Sequence, residues 1–322
     1  MTTNPRQNIP IVSVLMPTYN HERYIAEAIE SVLMQRTDYV YELVIGEDCS
    51  TDSTREICRQ YQRKYPEIIR LLEYETNVGL MKNYQRIISR CKGRYFAILE
   101  SDDQWLDPYK LDRQIRFLET HGDYGLVYSN ADFLFASNET YKKSVQRLKN
   151  PSGNIFDRLI INNWVIAGTA CFRRDLYERY VCLDDFIAHG FKTFDYPVWL
   201  TLAYHSKFKY FRDSTILYRI VESSISNNKN TDKALRFKEY ALKINDYFIE
   251  KYGLNAKIRD RAFNAYIRSS VRYLCISKKF DKAVRLVDQY KELSMIDLWM
   301  KKILKKPICL KVVDRLFFRR KR

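Results

Sequence analysis

The chain has 322 residues, 46% hydrophobic and 14% aromatic, with 55 Lys and Arg against 39 Asp and Glu for a net charge of +16. Single cores stop growing near roughly 250–300 residues, so this length predicts one large α/β domain with a smaller appendage. No run of about 18 apolar residues offers a membrane span, and the polar opening from Met1 to Pro10 lacks the apolar core of a signal peptide, which predicts a soluble, cytoplasmic body. The seven cysteines, at 49, 58, 91, 171, 182, 275 and 309, form no CxxC pair and have no His at zinc-ligand spacing, so most read as small buried hydrophobes.

Ile11 to Met16 reads as a first strand that Pro17-Thr18-Tyr19-Asn20 breaks, and the helix after it carries Ile25, Ala28, Ile29, Val32 and Leu33 on one face. Tyr41 to Ile45 is a second strand; Asp52 and Thr54 open a helix that Pro66 closes. Ile68 to Tyr74, a helix from Leu80 to Cys91 and the run Tyr95 to Leu99 repeat the unit. A further helix from Pro108 to Gly122 turns Leu111, Ile115 and Leu118 inward. This alternation, from Ile11 to Ser129, is the rhythm of a mainly parallel sheet flanked by helices.

Beyond Ser129 the rhythm weakens. Ser137 to Gly153 is polar and reads as a loop over the sheet's carboxyl edge. Strand-like runs return at Val165 to Phe172, Lys209 to Phe211 and Thr215 to Ile220, with a helix from Asp195 to His205. Ser223 to Asp232 reads as a linker, and the chain beyond it reads as helices only, over roughly 233–252, 257–277, 280–293 and 296–320. The expected division is a domain over 1–226 and a helical extension over 227–322. Of the net charge, +9 falls between Trp299 and Arg322, where apolar positions interleave with Lys and Arg. That pattern suits a helix lying on an anionic membrane surface, the alternative being a solvated terminal helix packed on the domain. No nucleic-acid motif accompanies the charge, so no nucleic-acid partner is expected.

Three polar clusters end strands of the parallel rhythm: Pro17-Thr18-Tyr19-Asn20, Glu47-Asp48-Cys49-Ser50-Thr51-Asp52 and Glu100-Ser101-Asp102-Asp103. In a parallel sheet, ligands sit outside the carboxyl ends of the strands. Each cluster alone also reads as a helix-capping turn. Three carboxylates ending a core strand are costly without a cation nearby, which points to a hard divalent ion and, through it, a phosphorylated ligand.

The ordered set resembles the family 2 glycosyltransferases of GT-A fold over Ile9 to Ser226. Val12 to Asn20 is similar to the family's first strand and base pocket, and Glu47 to Thr54 to its second-strand acidic motif, with Glu47 where aspartate is more usual. Asn77-Val78-Gly79 resembles the turn before the third helix, and Glu100 to Asp103, with Trp105 and Asp107-Pro108, the DxD-type metal site. Gly168-Thr169-Ala170 and Asp195 to Leu200 resemble the acceptor-side motifs. The resemblance implies that Pro17, Tyr19, Glu47, Asp48, Asn77 and Asp102 line the nucleotide, that Asp103 binds Mg²⁺ or Mn²⁺, and that Asp195 is the general base. It further implies an inverting, single-step transfer of a sugar from a nucleotide-diphosphate donor, a UDP-sugar being expected, to a glycan or lipid-linked acceptor in bacterial surface polysaccharide synthesis. The expected place is the cytoplasm, with peripheral contact at the inner membrane face.

One departure stands out. Many members carry Arg-x-His after the last strand, whereas Arg219-Ile220-Val221 puts a valine where the histidine would reach the metal or diphosphate. Valine neither ligates a metal nor donates a hydrogen bond. Arg219 is left either to reach the diphosphate or to pair with Glu222. A catalytically inactive nucleotide-sugar-binding or scaffold protein of the same fold is therefore the alternative. A nucleotidyltransferase is disfavoured, because Tyr19-Asn20-His21 offers no Gly- and Lys/Arg-rich phosphate loop.

Overall fold

The computed structural model describes residues 9–136, 139–143, 151–221 and 231–289, with Leu298 and Lys302. The expected linker at 223–232, apart from its last two residues, and the basic stretch 299–322, apart from Lys302, lie outside them. So do most of the expected loop 137–153 and the end of the helix expected over 280–293. One compact unit comprises Met1–Phe156 with Asn163–Ile220, and the other Asp157–Asn162 with Val221–Arg322.

In the first unit the strands are β1 (Val12–Thr18), β2 (Tyr41–Glu47), β3 (Ile69–Glu73), β4 (Tyr95–Ile98), β5 (Gln104–Trp105), β6 (Tyr124–Phe135), β7 (Thr140–Lys142), β8 (Cys171–Arg173) and β9 (Lys207–Ile220). The helices between them are α1 (Ile25–Leu33), α2 (Thr54–Lys64), α3 (Leu80–Ile88), α4 (Lys110–Thr120), α5 (Phe156–Leu159), of which only Phe156 falls in this unit, α6 (Arg174–Tyr180), α7 (Leu183–Ala188) and α8 (Asp195–His205). A single sheet runs β3-β2-β1-β4-β8-β6-β9-β5, with β7 paired to β6. Neighbours among β3, β2, β1 and β4 are parallel, whereas β8 is antiparallel to both β4 and β6. The parallel half is the one that the alternating sequence rhythm reported.

Several boundaries differ from the sequence expectation for local reasons. β1 does not break at Pro17 but runs through Thr18. Its pairing with β4 stops at Leu15, while Pro17 lies opposite Gly46 of β2 only, so the missing proline N–H removes no rung on the β4 side. The two runs expected at Lys209 and Thr215 are one continuous strand, β9, whose register against β6 shifts around Asn130. Of the run Val165 to Phe172 only the end is strand; Ala167–Thr169 forms a 3₁₀ turn. Part of the expected loop, Thr140–Lys142, is strand.

The core of this unit is built from the alternate faces of β1, β2 and β4 with the inward stripes of α1 and α4: Val12, Val14, Met16, Leu43, Ile45, Ala97, Leu99, Ile25, Ile29, Leu111 and Ile115 are all fully buried. α3 packs on the other face of the sheet and approaches β2 at Gly46, where the Asn83 side chain donates to the Gly46 carbonyl at 2.8 Å. A Cβ on Gly46 would lie 2.2 Å from Asn83 Oδ1. Gly46→Ala is therefore expected to cost about 1–3 kcal/mol as an overpacking change. A thermal midpoint equal to that of the parent would show that α3 lifts away freely.

The second unit holds α9 (Thr231–Lys251), α10 (Ala256–Ile276) and α11 (Phe280–Val287), as the periodicity predicted. Ile267, Val271, Leu274, Ala283 and Val287 form its core, and the Asn255 side chain caps α10 by accepting from the Ile258 N–H at 3.0 Å. Among the described residues no helix is long and apolar enough to cross a membrane.

Candidate active site

The three polar clusters meet at the carboxyl ends of β1, β2 and β4, and a dense set of hydrogen bonds ties them together. The Asp48 N–H donates to the Thr18 carbonyl at 3.0 Å, and Ser101 Oγ donates to the Pro17 carbonyl at 3.1 Å. Asn20, at φ 55°, accepts from the Thr51 N–H at 2.8 Å, while its own N–H donates to Ser50 Oγ at 3.0 Å. The loops after β1 and β2 thus form one braced edge.

The residues expected at the nucleotide divide into two kinds. Tyr19 is 43% exposed, and Asn77 is exposed with its Oδ1 accepting from the Gly79 N–H at 3.1 Å. Pro17, Glu47 and Asp48 are buried. Glu47 is held by Arg55 Nε at 2.5 Å and the Ser50 N–H at 2.6 Å. Asp48 accepts from the Val78 and Gly79 N–H groups, each at 2.9 Å, and so pins the Asn77-Val78-Gly79 turn to β2. Each carboxylate oxygen has two acceptor lone pairs, so beside these two bonds Asp48 keeps capacity for two further donors.

After β4 the chain turns tightly, with the Asp103 N–H donating to the Glu100 carbonyl at 2.9 Å, and this gathers three carboxylates. One oxygen from each of Glu100, Asp102 and Asp103 falls within 4.8 Å of the others. Asp103 is 1% exposed; its Oδ1 accepts from the Arg219 N–H at 2.8 Å, while its Oδ2 is buried with no partner among the described residues. Burial, then the negative charges of Asp102 and Glu100, push Asp103 well above the usual carboxylate range. Burial, then Asp102 and Asp195, push Glu100 up to about 8. A buried oxygen without a partner, in a group of carboxylates that repel one another, fits a hard divalent cation.

Asp195 is the first residue of α8. Burial pushes it up to about 6 against the opposing N–H groups of Tyr196 and of Asp195 itself. Its charge acts on Glu100, and those of Glu100, Asp195, Asp102 and Asp103 all act on the buried Tyr84 hydroxyl, which is driven upward chiefly by its own burial. Tyr84, on α3, stacks on Phe194 at 4.0 Å between centroids, fixing the residue immediately before Asp195. The structure thus brings Asp195, more than ninety residues along the chain from Asp102, to the acidic turn.

Three further residues contribute: Arg219, whose partners here the sequence did not show, and His21 and Tyr84, which went unseen. The Arg219 guanidinium bonds the Asp102 carbonyl at 3.1 Å and the Glu27 carboxylate on α1, and Glu222, the partner expected as an alternative to the diphosphate, is outside the described residues. His21 Nδ1 lies 2.6 Å from Ser101 Oγ, and because that hydroxyl donates to Pro17, the imidazole is the donor to it. Tyr84 gave no signal, since its place on the inward stripe of α3 is that of any core aromatic. Val221, directly after β9, is buried.

A parallel half-sheet with carboxylates at its carboxyl edge, extended by antiparallel strands that bring in a further carboxylate, defines the GT-A class of glycosyltransferases. Residues 13–181 match glycosyl transferase family 2, and the chain belongs to that family. It is similar to a putative teichuronic acid biosynthesis glycosyltransferase, TuaG, of Bacillus subtilis strain 168, at 41% identity over 34% of this chain and 42% of that one. The chain spans about a third to two fifths of the length of the curated relatives it matches at 38–41% identity. In fold it is similar to the mannosyltransferase PcManGT from Pyrobaculum calidifontis, solved with GDP-Man and Mn²⁺, with TM-score 0.55 and 17% identity over 95% of this chain and 87% of that one. It is also similar to S. aureus TarS 1–349, solved with UDP-GlcNAc, with TM-score 0.51 and 16% identity over 96% of this chain and 89% of that one.

Proposed function

We propose that this family 2 glycosyltransferase is a metal-dependent, inverting enzyme that moves a sugar from a nucleotide-diphosphate donor, a UDP-sugar, to a glycan or lipid-linked acceptor in bacterial surface polysaccharide synthesis. The observation that carries the reading is the convergence of the half-buried Asp195 carboxylate on the Glu100, Asp102 and Asp103 cluster. The polysaccharide assignment is supported by the printed role of TuaG, and the nucleotide-sugar donor by the ligands of PcManGT and TarS.

Tyr19, Asp48 and Asn77 receive the base, with Pro17 and Glu47 shaping the pocket behind them. Asp102 faces the ribose and diphosphate, and Asp103, with Asp102 and Glu100 around it, holds Mg²⁺ or Mn²⁺. The cation supplies positive charge where the departing diphosphate gains negative charge. Asp195 takes the proton of the acceptor hydroxyl as it attacks the anomeric carbon from the face opposite the diphosphate, which inverts the configuration in one step. A carboxyl poised at about 6 is matched to that task near neutral pH. Arg219 holds the acidic turn from behind through the Asp102 carbonyl and Glu27.

The deciding experiment is the thermal midpoint with a panel of nucleotide sugars, with and without Mn²⁺. A donor at about 100 times its Kd adds about 2.7 kcal/mol of stability. One donor is expected to shift the midpoint in a metal-dependent way and to release its nucleoside diphosphate on adding acceptor. No shift with any donor would overturn the reading. Val221 favours one second reading, a scaffold that binds donor without turnover; a shift with no nucleotide released in the presence of any acceptor would establish it.

A further inference from the structure

Lys110 opens α4 and is fully buried, yet among the described residues no carboxylate pairs with it. Among the described residues the one titratable group acting on it is Cys171 of β8, whose thiol burial pushes up to about 12 and so keeps neutral. Its own burial draws the ammonium down to about 7. An unpaired buried ammonium is destabilising, and an apolar side chain of the same length would fill the volume without that cost.

The two groups that the ammonium does touch lead to one place. Lys110 Nζ donates to Gln114 Oε1 at 2.8 Å and lies 4.3 Å from the Trp105 ring centroid, a cation over an aromatic face. Gln114 in turn gives its Nε2 to the Thr169 carbonyl at 2.8 Å, and Trp105 gives its Nε1 to the Gly168 carbonyl at 2.9 Å. These carbonyls are consecutive in the 3₁₀ turn Ala167–Thr169, and a Cβ placed on Gly168 would lie 3.8 Å from the unpartnered Asp103 Oδ2. Trp105 is also two residues from Asp103 along the chain, with its N–H anchored to Ser31 Oγ at 3.0 Å.

We propose that Lys110 is a positioning residue of the metal site: from beneath, its ammonium holds Trp105 and Gln114, and through them the Gly168–Thr169 backbone that walls the Asp103 carboxylate. This rests on the reading of Glu100, Asp102 and Asp103 as a cation site. Groups that orient a ligating side chain without touching the metal commonly change metal affinity about tenfold to a hundredfold when they are replaced.

The test is Mn²⁺ affinity, followed by electron paramagnetic resonance of free Mn²⁺, together with the thermal midpoint of the metal-free protein, for the parent and Lys110→Met. Methionine keeps the volume and removes the charge. The expected result is Mn²⁺ binding weakened about tenfold to a hundredfold, with a midpoint lowered by no more than the loss of the one buried hydrogen bond to Gln114 Oε1. A merely structural role lowers the midpoint and leaves the affinity of the folded protein unaltered, so Mn²⁺ affinity equal to the parent's overturns the proposal. Gln114→Met, which leaves Lys110 in place but cuts its link to Thr169, is expected to weaken Mn²⁺ in the same sense, and unaltered affinity there also overturns it. A parent that binds Mn²⁺ but transfers no sugar removes the proposed function and leaves the Lys110 result to be read from the affinities; a parent that binds no Mn²⁺ removes both.

Discussion

Replacing Asp103 with asparagine is expected to abolish Mn²⁺-dependent donor binding and to lower transfer by at least about a thousandfold, the scale of several kcal/mol of lost charge stabilisation. The substitution is close to isosteric, and its side-chain oxygen still accepts from the Arg219 N–H, so the fold is spared. What disappears is the carboxylate Oδ2 that lies buried without a partner among the described residues. Transfer by Asp103→Asn at the parent rate would remove Asp103 from the metal site.

The same cluster gives the metal-free protein a pH signature. Glu100 goes from an ordinary 4.5 to about 8 on folding, and Asp103 also moves upward. Between those values the folded protein holds a proton that the unfolded chain has released, so folding takes up protons and stability falls as pH rises through that window. The thermal midpoint of metal-free protein should therefore decline from about pH 5 to about pH 8 on account of this cluster, less steeply in Asp103→Asn. Saturating Mn²⁺ should flatten the decline, because a bound cation favours the charged carboxylates. An equal slope with and without Mn²⁺ would contradict a cation site here.

Asp195→Asn is expected to keep donor and Mn²⁺ affinity within about twofold while transfer falls about a thousandfold to ten-thousandfold, the upper part of the range for a lost general base. An asparagine can still accept the N–H bonds at the start of α8, which isolates the loss of basicity from any loss of structure. In the parent, the same carboxyl must be ionised to act, so kcat/KM should rise with pH through about 6, and this ascending limb should be absent from the residual activity of Asp195→Asn. Transfer surviving at the parent rate would exclude Asp195 as the base. Lost donor binding would instead assign it to the nucleotide pocket.

The parallel half of the sheet was legible because it is local: each of β1, β2 and β4 is a short apolar run, each is succeeded by an amphipathic helix, and helical and strand periods differ enough to be told apart by eye. The antiparallel half was not. β8 is three residues long, β5 is two, and the bend in β9 near Ser214 interrupts its pattern, so their identity as strands depends on partners distant in sequence. β6 pairs in parallel with β9 across some eighty residues, and no window of sequence contains that pairing.

Particular site residues divide in the same way. The acidic step from Glu100 to Asp103 announced itself, because carboxylates ending an apolar strand contradict burial unless something cationic answers them. Arg219 was equally visible as a charge, but its partner was not: the sequence places it beside Glu222, and the fold turns it to the Asp102 carbonyl and Glu27, nearly two hundred residues away. Tyr84 and Lys110 were invisible for opposite reasons, one resembling any core aromatic and the other any solvated lysine at a helix start.

The sequence by itself determined the alternating rhythm, the carboxylates at strand ends and the ordered motifs of family 2, since these depend on residue type and spacing along the chain. Only the tertiary structure decided that Asp195 comes near the acidic turn, that Asp103 keeps a buried oxygen with no partner among the described residues, and that none of their carboxylates pairs with the buried Lys110. Those properties are set by dielectric surroundings and by contacts across the sheet. Both arise when strands remote in sequence pair, and so they exist in the folded molecule alone.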